Sequence, residues 1–299
     1  MRNPVDRQMS WKNEAAARHW DRAVRHKSRN WWDSTILNGY MNRQICGAQV
    51  EAGAAIATAL RNAFPDTAFA RAASVGCGTA AKELALIRSG AVEAFDLFEI
   101  SRERIASGTA TIASLGLQSQ AAYVDRDPIA TGPRDPLYDL VYWDHSLHHM
   151  QDVRAALLWS RDVLRPGGVV CVNDYVGPTR LQWTSAEAAL ANGFLSRAAR
   201  TYGLEFRKVR AGGPISRLRT YMRDPSEAPQ SDKIESAFGE LFGGAALRPL
   251  GGTLLNICGG IVMGLPDPPE ALQADLAAAD LACLQAGSHH FAFGMWRKG

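Results

Sequence analysis

One short segment near the middle of the chain combines histidines with an aspartate. It reads Asp144-His145-Ser146-Leu147-His148-His149 and directly follows an apolar stretch, YDLVYW. Histidine titrates close to neutral pH, so His145 and His148 are candidate general bases for an alcohol or ammonium nucleophile, and Asp144 could orient an amino group. His145 is the first choice for contact with a substrate. A Leu-His-His segment at this place can instead only pack against and cap the following helix, and that interpretation stays open.

A second group of residues suits a nucleoside. Gly76 and Gly78 follow the short apolar run AASV, where a turn must let a ligand approach the main chain without a Cβ in the way. Glu99 ends the next apolar run, where a carboxylate can accept hydrogen bonds from both hydroxyls of a ribose. Asp125 ends a third run and is a candidate acceptor for an exocyclic adenine amine. A Gly-x-Gly pair alone also occurs in ordinary tight turns, so the prediction depends on these features occurring in this order.

These residues need a scaffold in which several strands end at one edge of a sheet. The sequence predicts such a scaffold. From residue 71 to residue 174, strand candidates alternate with helical segments; the strands are RAASV, AVEAFDLFEI, SQAAYV, YDLVYW and VVCVND. Several of these strands are apolar throughout, which is typical of a parallel sheet covered by helices on both faces. The predicted fold class is therefore α/β, a doubly wound and mostly parallel sheet that binds ligands beyond the carboxyl ends of its strands.

Further regions flank this core, which we place at residues 71–176. Residues 1–70 predict a helical N-terminal lid or substrate segment, with a helix from Arg43 to about Ala63. Residues 177–244 interrupt the alternation with a helix and a turn-rich stretch, KVRAGGPISRLRTYMRDPSEAPQSD, and form an insertion well placed to cover a ligand. Residues 245–299 predict strands and helices that complete the sheet.

The composition argues against several classes of function. Of the 299 residues, 33 are Lys or Arg and 30 are Asp or Glu, so the net charge of +3 leaves no electrostatic footprint for nucleic acid. The 5 cysteines are scattered and form no Cys-x-x-Cys pair, which favours a reducing, cytoplasmic setting over a disulfide framework. No apolar run approaches the ~20 residues that cross a bilayer, and the N-terminus does not read as a secretory signal, so no membrane partner is expected.

Five segments together resemble the class I S-adenosylmethionine-dependent methyltransferases: VGCGTA, LFEIS, YVDRD, YDLVYWDHSLHHM and LRPGGVVCV. The resemblance covers roughly residues 70–176 and implies a Rossmann-like sheet with S-adenosylmethionine as the cofactor. It implies that the glycine turn, including Cys77, lies against the methionine part, that Glu99 holds the ribose and that Asp125 reads the adenine. It also implies cofactor contacts from neighbouring residues of these motifs, namely Ile100, Arg126 and Trp143.

Aromatic residues in the flanks and at the strand ends form the candidate acceptor site. Ring faces stabilise a cation by roughly 0.5–2 kcal/mol per contact, and both the sulfonium donor and a methylated thioether or tertiary amine are such cations. Arg180 is a candidate clamp for a carboxylate or phosphate. Most Trp and Tyr residues lie in cores or interfaces instead, which is the alternative. The aromatic candidates are Trp31, Trp32, Tyr40, Tyr175 and Trp183.

Three residues at strand ends are candidate metal ligands. Asp144, Asn173 and Asp174 all end strands on the ligand side and resemble the ligands of the magnesium-dependent catechol-type methyltransferases. Acidic residues at strand ends also bind substrates and cap helices, so no metal is predicted.

These features predict a methyltransferase acting on a small molecule, with an amine or a thioether such as methionine favoured over a hydroxyl. An NAD-dependent oxidoreductase is one alternative, which Ala81 in place of the third fingerprint glycine disfavours. A nucleoside-binding partner subunit without activity is the other alternative. The tryptophan-rich N-terminal segment suits either a lid or the contacts of a homodimer.

Overall fold

The computed structural model describes residues 14–21, 29–51, 53–124, 127–131 and 137–299. Helix α1 spans residues 14–21. The other helices are α2 (Thr35–Cys46), α3 (Ala55–Ala63), α4 (Ala81–Arg88), α5 (Arg102–Ser114), α6 (Pro128–Thr131), α7 (Val153–Val163), α8 (Ser185–Tyr202), α9 (Pro214–Arg223), α10 (Ile234–Leu241), α11 (Thr253–Met263) and α12 (Glu270–Gln285). The strands are β1 (Ala72–Val75), β2 (Phe95–Phe98), β3 (Ala121–Tyr123), β4 (Tyr138–Asp144), β5 (Leu164–Tyr175), β6 (Arg248–Gly251) and β7 (Phe291–Arg297).

The strands form one sheet in the order β3-β2-β1-β4-β5-β7-β6. Strands β1 to β5 pair in parallel, whereas β7 runs antiparallel to both β5 and β6. The chain builds outward from β1 to β3 and then returns to the other side of β1 with β4. The strand order therefore reverses between β1 and β4, and ligands bind in such sheets at that switch point, beyond the carboxyl ends. The predicted fold class is confirmed.

The sheet is covered on both faces because successive residues of its strands enter different cores. Leu140 and Tyr142 of β4 pack in one apolar cluster, and Val141 and Trp143 pack in the other. This alternation follows from the period of two residues in a strand. It matters for the site because neighbouring residues at the end of β4 face opposite sides of the sheet.

The flanks differ from the sequence expectation in two places. The helix predicted from Arg43 to Ala63 is two helices, since α2 ends at Gly47, whose φ of +75° is left-handed, and α3 begins only at Ala55. The stretch predicted to be turn-rich contains α9, which starts with Pro214 at its first position. A proline there fixes a helical φ and loses no needed N–H donor, so the signal was present in the sequence.

None of the helices in the described part of the chain is both long and apolar enough to span a lipid bilayer.

Candidate functional site

The glycine turn after β1 adopts the backbone that the sequence required. Gly76 and Gly78 have φ of +70° and +60°, the left-handed region that favours glycine. A Cβ on Gly76 would lie 3.0 Å from the Cβ of Ser146, which belongs to the loop after β4. The turn therefore brings the ends of β1 and β4 together, and a side chain at Gly76 would separate them.

Glu99 holds this turn against the end of β2. Its Oε2 accepts a hydrogen bond from the N–H of Gly78 (2.8 Å), and its Oε1 accepts from Ile100 (2.7 Å) and Ser101 (2.9 Å). A carboxylate oxygen can accept two hydrogen bonds, so Oε2 retains acceptor capacity for a ligand hydroxyl. The side chain of Ile100 is 47% exposed and offers an apolar surface beside that carboxylate. A carboxylate that can accept hydrogen bonds from sugar hydroxyls, next to an apolar surface, fits a nucleoside. These residues therefore suit S-adenosylmethionine.

The remaining predicted cofactor contacts have three different outcomes. Burial raises the pKa of the Cys77 thiol, so it is protonated at neutral pH and acts as a small residue of the turn. The Trp143 side chain is fully buried in the core on the other face of β4, where its Nε1 donates to Ser160 Oγ (2.9 Å). That prediction is corrected, because strand alternation turns Trp143 away from the face that carries Tyr142. Asp125 and Arg126 lie outside the described residues.

Helix α1 lies over the beginning of α5. The Oδ1 of Asp21 accepts a hydrogen bond from Ser101 Oγ (2.6 Å), and the Arg104 guanidinium lies 4.0 Å from the centre of the Trp20 ring. Trp20 also contacts His149, with ring centres 5.2 Å apart. Trp20 therefore lies between Arg104 of α5 and His149 after β4.

Asp144 ends β4 in a polar network. It accepts hydrogen bonds from Tyr142 Oη (2.6 Å) and Asn173 Nδ2 (2.8 Å), and it pairs with Lys82 Nζ at 2.9 Å. Burial by itself would raise the pKa of Asp144, but Lys82 lowers it below the ordinary value. The carboxylate is therefore ionised, and its contacts fix Lys82 at the crevice.

His145 sits at the strand end in a left-handed conformation, with φ of +54°. Its N–H donates to the carbonyl of Asn173 (2.9 Å), and its ring packs between Trp31 and Phe291, with centre distances of 6.2 and 5.3 Å. Desolvation lowers the pKa of His145 to about 4. The imidazole is neutral at pH 7 and is a weak base, although it can accept a hydrogen bond. A non-glycine residue held at positive φ is typical of a functional site.

His148 is the better base of the two predicted histidines. Its Nδ1 is hydrogen-bonded to Asp174, which also accepts from the N–H groups of Ser146 (2.9 Å), Leu147 (2.6 Å) and Tyr175 (2.7 Å). Burial would lower the pKa of His148, but the Asp174 carboxylate raises it above the ordinary value. Burial would raise the pKa of Asp174, and His148 lowers it to about 2. Sequence reasoning did not connect these two residues.

A cavity of about 620 Å³ opens beside these strand ends. Its ionisable lining comes from α4, from the β4 end with the turn after it, and from the insertion: Lys82, Asp144, His145, His148, His149 and Glu227. Its aromatic lining is Trp20, Trp31, Trp32, Tyr142, Tyr175 and Phe291. Neither glycine of the turn is among its lining residues, whereas Lys82, at the start of the helix after the turn, is. This arrangement can hold an acceptor beside a cofactor.

The predicted substrate residues divide into two groups. Trp31, Trp32 and Tyr175 line the cavity. Tyr40 is buried and donates its hydroxyl to Asp280 (2.9 Å), and Trp183 stacks on His290 with ring centres 5.4 Å apart.

Arg180 does not line the cavity either. Its guanidinium donates to the carbonyls of Pro225 (2.7 Å) and Glu227 (3.1 Å) and braces the insertion loop. The predictions for Tyr40, Trp183 and Arg180 are therefore corrected, since each side chain is committed to an intramolecular partner.

Sequence reasoning missed several residues of the cavity. Lys82 had a signal, as a basic residue directly after the glycine turn, and His149 had one in its neighbour His148. Glu227 and Phe291 had none, because only the tertiary fold brings the insertion and the last strand to the end of β4.

Comparisons with known proteins agree with the core. A family model described as a methyltransferase domain matches residues 73–172. A structure of geranyl diphosphate C-methyltransferase from Streptomyces coelicolor A3(2) is similar at a TM-score of 0.49, with 11% identity over 96% of this chain and 98% of that one. A candidate sarcosine dimethylglycine methyltransferase from Galdieria sulphuraria also has a TM-score of 0.49, with 15% identity over 83% of this chain and 87% of that one. At these values the solved structures decide nothing about a substrate, and the assignment rests on the family match and the site.

Proposed function

We propose that this class I S-adenosylmethionine-dependent methyltransferase, whose family match covers residues 73–172, methylates a small molecule held in the aromatic cavity. The favoured acceptor atom is an amine nitrogen or a thioether sulfur, before a hydroxyl oxygen. Gly76, Gly78, Glu99 and Ile100 are the residues that would hold the cofactor. The bound cofactor supplies an electrophilic methyl group on a sulfonium.

The observation that carries this proposal is the character of the cavity wall. Six aromatic rings line it. Lys82 also lines it, and its ammonium group is paired with Asp144. Aromatic faces favour a cationic group, as an ammonium acceptor or a sulfonium product would be.

The histidines bear on the choice of nucleophile. A hydroxyl or an ammonium acceptor must lose a proton to a base close to the attacking atom; His145, whose pKa is about 4, is a weak base, and His148, hydrogen-bonded to Asp174, is the stronger one. A thioether has a free lone pair at neutral pH and loses no proton in the transfer. For such acceptors the chain needs mainly to align the reacting atoms and exclude water, which the ring wall does.

A metabolite screen with methyl-labelled donor tests the proposal. Amines, thioethers and alcohols are incubated with the enzyme, and the mass gain of each product identifies the methylated atom. We expect labelled products from the amine or thioether set, and the Trp32→Ala variant should raise their KM. Products from alcohols alone would contradict the choice of nucleophile. No labelled small molecule from any set, with a protein or nucleic acid labelled instead, would contradict the small-molecule proposal itself.

A further inference from the structure

Three side chains converge on one wall of the cavity. His148 and His149 follow β4, and Glu227 comes from the insertion; one ligand atom of each lies within 4.8 Å of the other two. His148 Nε2 is 4.0 Å from Glu227 Oε1, too far for a hydrogen bond. Two ligands of a tetrahedral ion at about 2.1 Å are roughly 3.4 Å apart, so a small contraction would bring these atoms to coordination distance.

Both histidines are oriented as metal ligands usually are. The Nδ1 of His148 is hydrogen-bonded to the Asp174 carboxylate, and the Nδ1 of His149 is hydrogen-bonded to the Ser226 carbonyl (3.1 Å). A carboxylate or a carbonyl on one ring nitrogen fixes the tautomer and leaves a lone pair on the other. Nε2 of each ring is therefore the nitrogen that remains to bind an ion.

The surroundings are negative and include an unsatisfied group. Asp224 is buried next to this cluster, and its Oδ2 has no hydrogen-bond partner among the described residues. Its nearest basic atom there is His19 Nε2, at 3.9 Å. Asp174, Asp224 and Glu227 therefore lie around the two imidazoles. Arg104 interacts with Asp224, and Arg180 interacts with Asp224 and Glu227, but neither arginine lines the cavity.

We propose that His148, His149 and Glu227 form a binding site for a divalent first-row transition ion, of the zinc or iron(II) class. Two imidazoles and a carboxylate are the ligand set of open catalytic sites for these ions, whereas magnesium and calcium prefer oxygen ligands. All three ligands line the cavity, so the remaining coordination positions face the acceptor. In this assignment His148 is a ligand rather than a base.

This inference depends on the proposed function only for the identity of the molecule that binds at the open coordination position of the ion. Metal binding is therefore measured without turnover. The full-length enzyme is treated with a chelator and titrated calorimetrically with Zn²⁺, and separately with Mg²⁺. Co²⁺ is added as a spectroscopic probe, because its visible absorption reports a low-symmetry site with nitrogen ligands.

We expect one Zn²⁺ per chain with a Kd of about 1 µM or tighter, no saturable Mg²⁺ binding, and visible Co²⁺ bands. His149→Ala and Glu227→Gln should each weaken Zn²⁺ binding by about 100-fold or more. His289→Ala, which removes a histidine paired with Glu235 outside this cavity, is the matched control and should bind Zn²⁺ like the wild type. Circular dichroism confirms that each variant is folded.

Absence of saturable Zn²⁺ binding would overturn the assignment, as would unchanged affinity in the folded Glu227→Gln variant. Mg²⁺ binding at the same affinity would also overturn it. Methylation of an acceptor by an enzyme that binds no Zn²⁺ refutes the metal site alone. Zn²⁺ binding that depends on His149 and Glu227, with no acceptor methylated, supports the metal site and refutes only the proposed acceptors.

Discussion

The two halves of the crevice are built from different materials. The glycine-turn half depends on main-chain N–H groups: the Glu99 carboxylate accepts from Gly78, 21 residues away in the chain, and from its neighbours Ile100 and Ser101. The acceptor half is made of side chains from distant segments, including Trp31, Glu227 and Phe291. The first half is therefore set by main-chain geometry, and the second by tertiary packing.

The largest effect is expected from removing the carboxylate of the glycine-turn half. Glu99→Ala should weaken S-adenosylmethionine binding by up to about 150-fold, because a charged acceptor is worth roughly 1.5–3 kcal/mol. Calorimetric titration measures the Kd. Glu93→Ala, an exposed glutamate before the same strand, is the control and should leave the Kd unchanged. Wild-type affinity in Glu99→Ala would show that the ribose assignment is wrong.

Glu83, a buried glutamate in α4 just after the glycine turn, should make the free energy of unfolding depend on pH. Glu83 accepts from Ser74 Oγ (2.7 Å), and burial raises its pKa to about 7. The folded state keeps this proton above pH 4.5 while the unfolded state releases it, so the free energy of unfolding falls as pH rises from 4.5 to 7.

Glu83→Gln keeps the hydrogen-bond acceptor and removes this titration. The stability of the variant relative to the wild type should rise by about 2.5 kcal/mol between pH 5 and pH 8. Urea denaturation of both proteins at the two pH values measures it. A difference that does not change with pH would contradict the burial of an ionisable Glu83.

Two glycines distinguish the effect of backbone strain on stability from the effect of a close contact with a neighbouring residue. Gly76 and Gly90 have almost the same φ, +70° and +71°, but a Cβ on Gly76 would meet Ser146 at 3.0 Å, and one on Gly90 would meet nothing within 4 Å. Gly76→Ala should therefore be about 1–2 kcal/mol less stable than Gly90→Ala, since only the former is overpacked. Urea denaturation compares them. Equal losses would mean that the turn is not a close contact between β1 and β4.

The smallest effect is expected in the acceptor half. Trp32 is 55% exposed and lines the cavity, so Trp32→Ala should raise the acceptor KM by about 2- to 5-fold, for one exposed ring contact of 0.5–1 kcal/mol. The Kd for the cofactor should not change. Trp183→Ala is the control outside the cavity, and steady-state kinetics measures both. Loss of cofactor affinity in Trp32→Ala would contradict the division of the site into a cofactor half and an acceptor half.

The difference between the halves also explains what the sequence could predict. The parallel sheet, the glycine turn and Glu99 follow from local patterns, since strand length, positive φ and hydrogen bonds to the next residues are set within a short window. The prediction for Trp143 was wrong, although strand alternation could have shown it. Because Asp144 ends β4 on the ligand side, its neighbour Trp143 must face the other side of the sheet.

The acceptor half was predicted only in part. All six aromatic and basic candidates were predicted from residue type and from their place in segments that could border the pocket. Trp31, Trp32 and Tyr175 line the cavity. Tyr40, Trp183 and Arg180 instead have partners far away in the chain, namely Asp280, His290 and the loop carbonyls. Whether an aromatic or basic side chain faces a cavity or an internal partner depends on tertiary packing. Glu227 joins the site for the same reason and carries no local signal.

Calorimetric titration of the purified enzyme with S-adenosylmethionine, S-adenosylhomocysteine and NAD tests the central claim, that the glycine turn and Glu99 hold an adenosyl sulfonium. We expect one molecule of each adenosyl compound per chain, with both affinities reduced in Glu99→Ala, and no heat from NAD. Tight NAD binding with no response to either adenosyl compound would contradict the account.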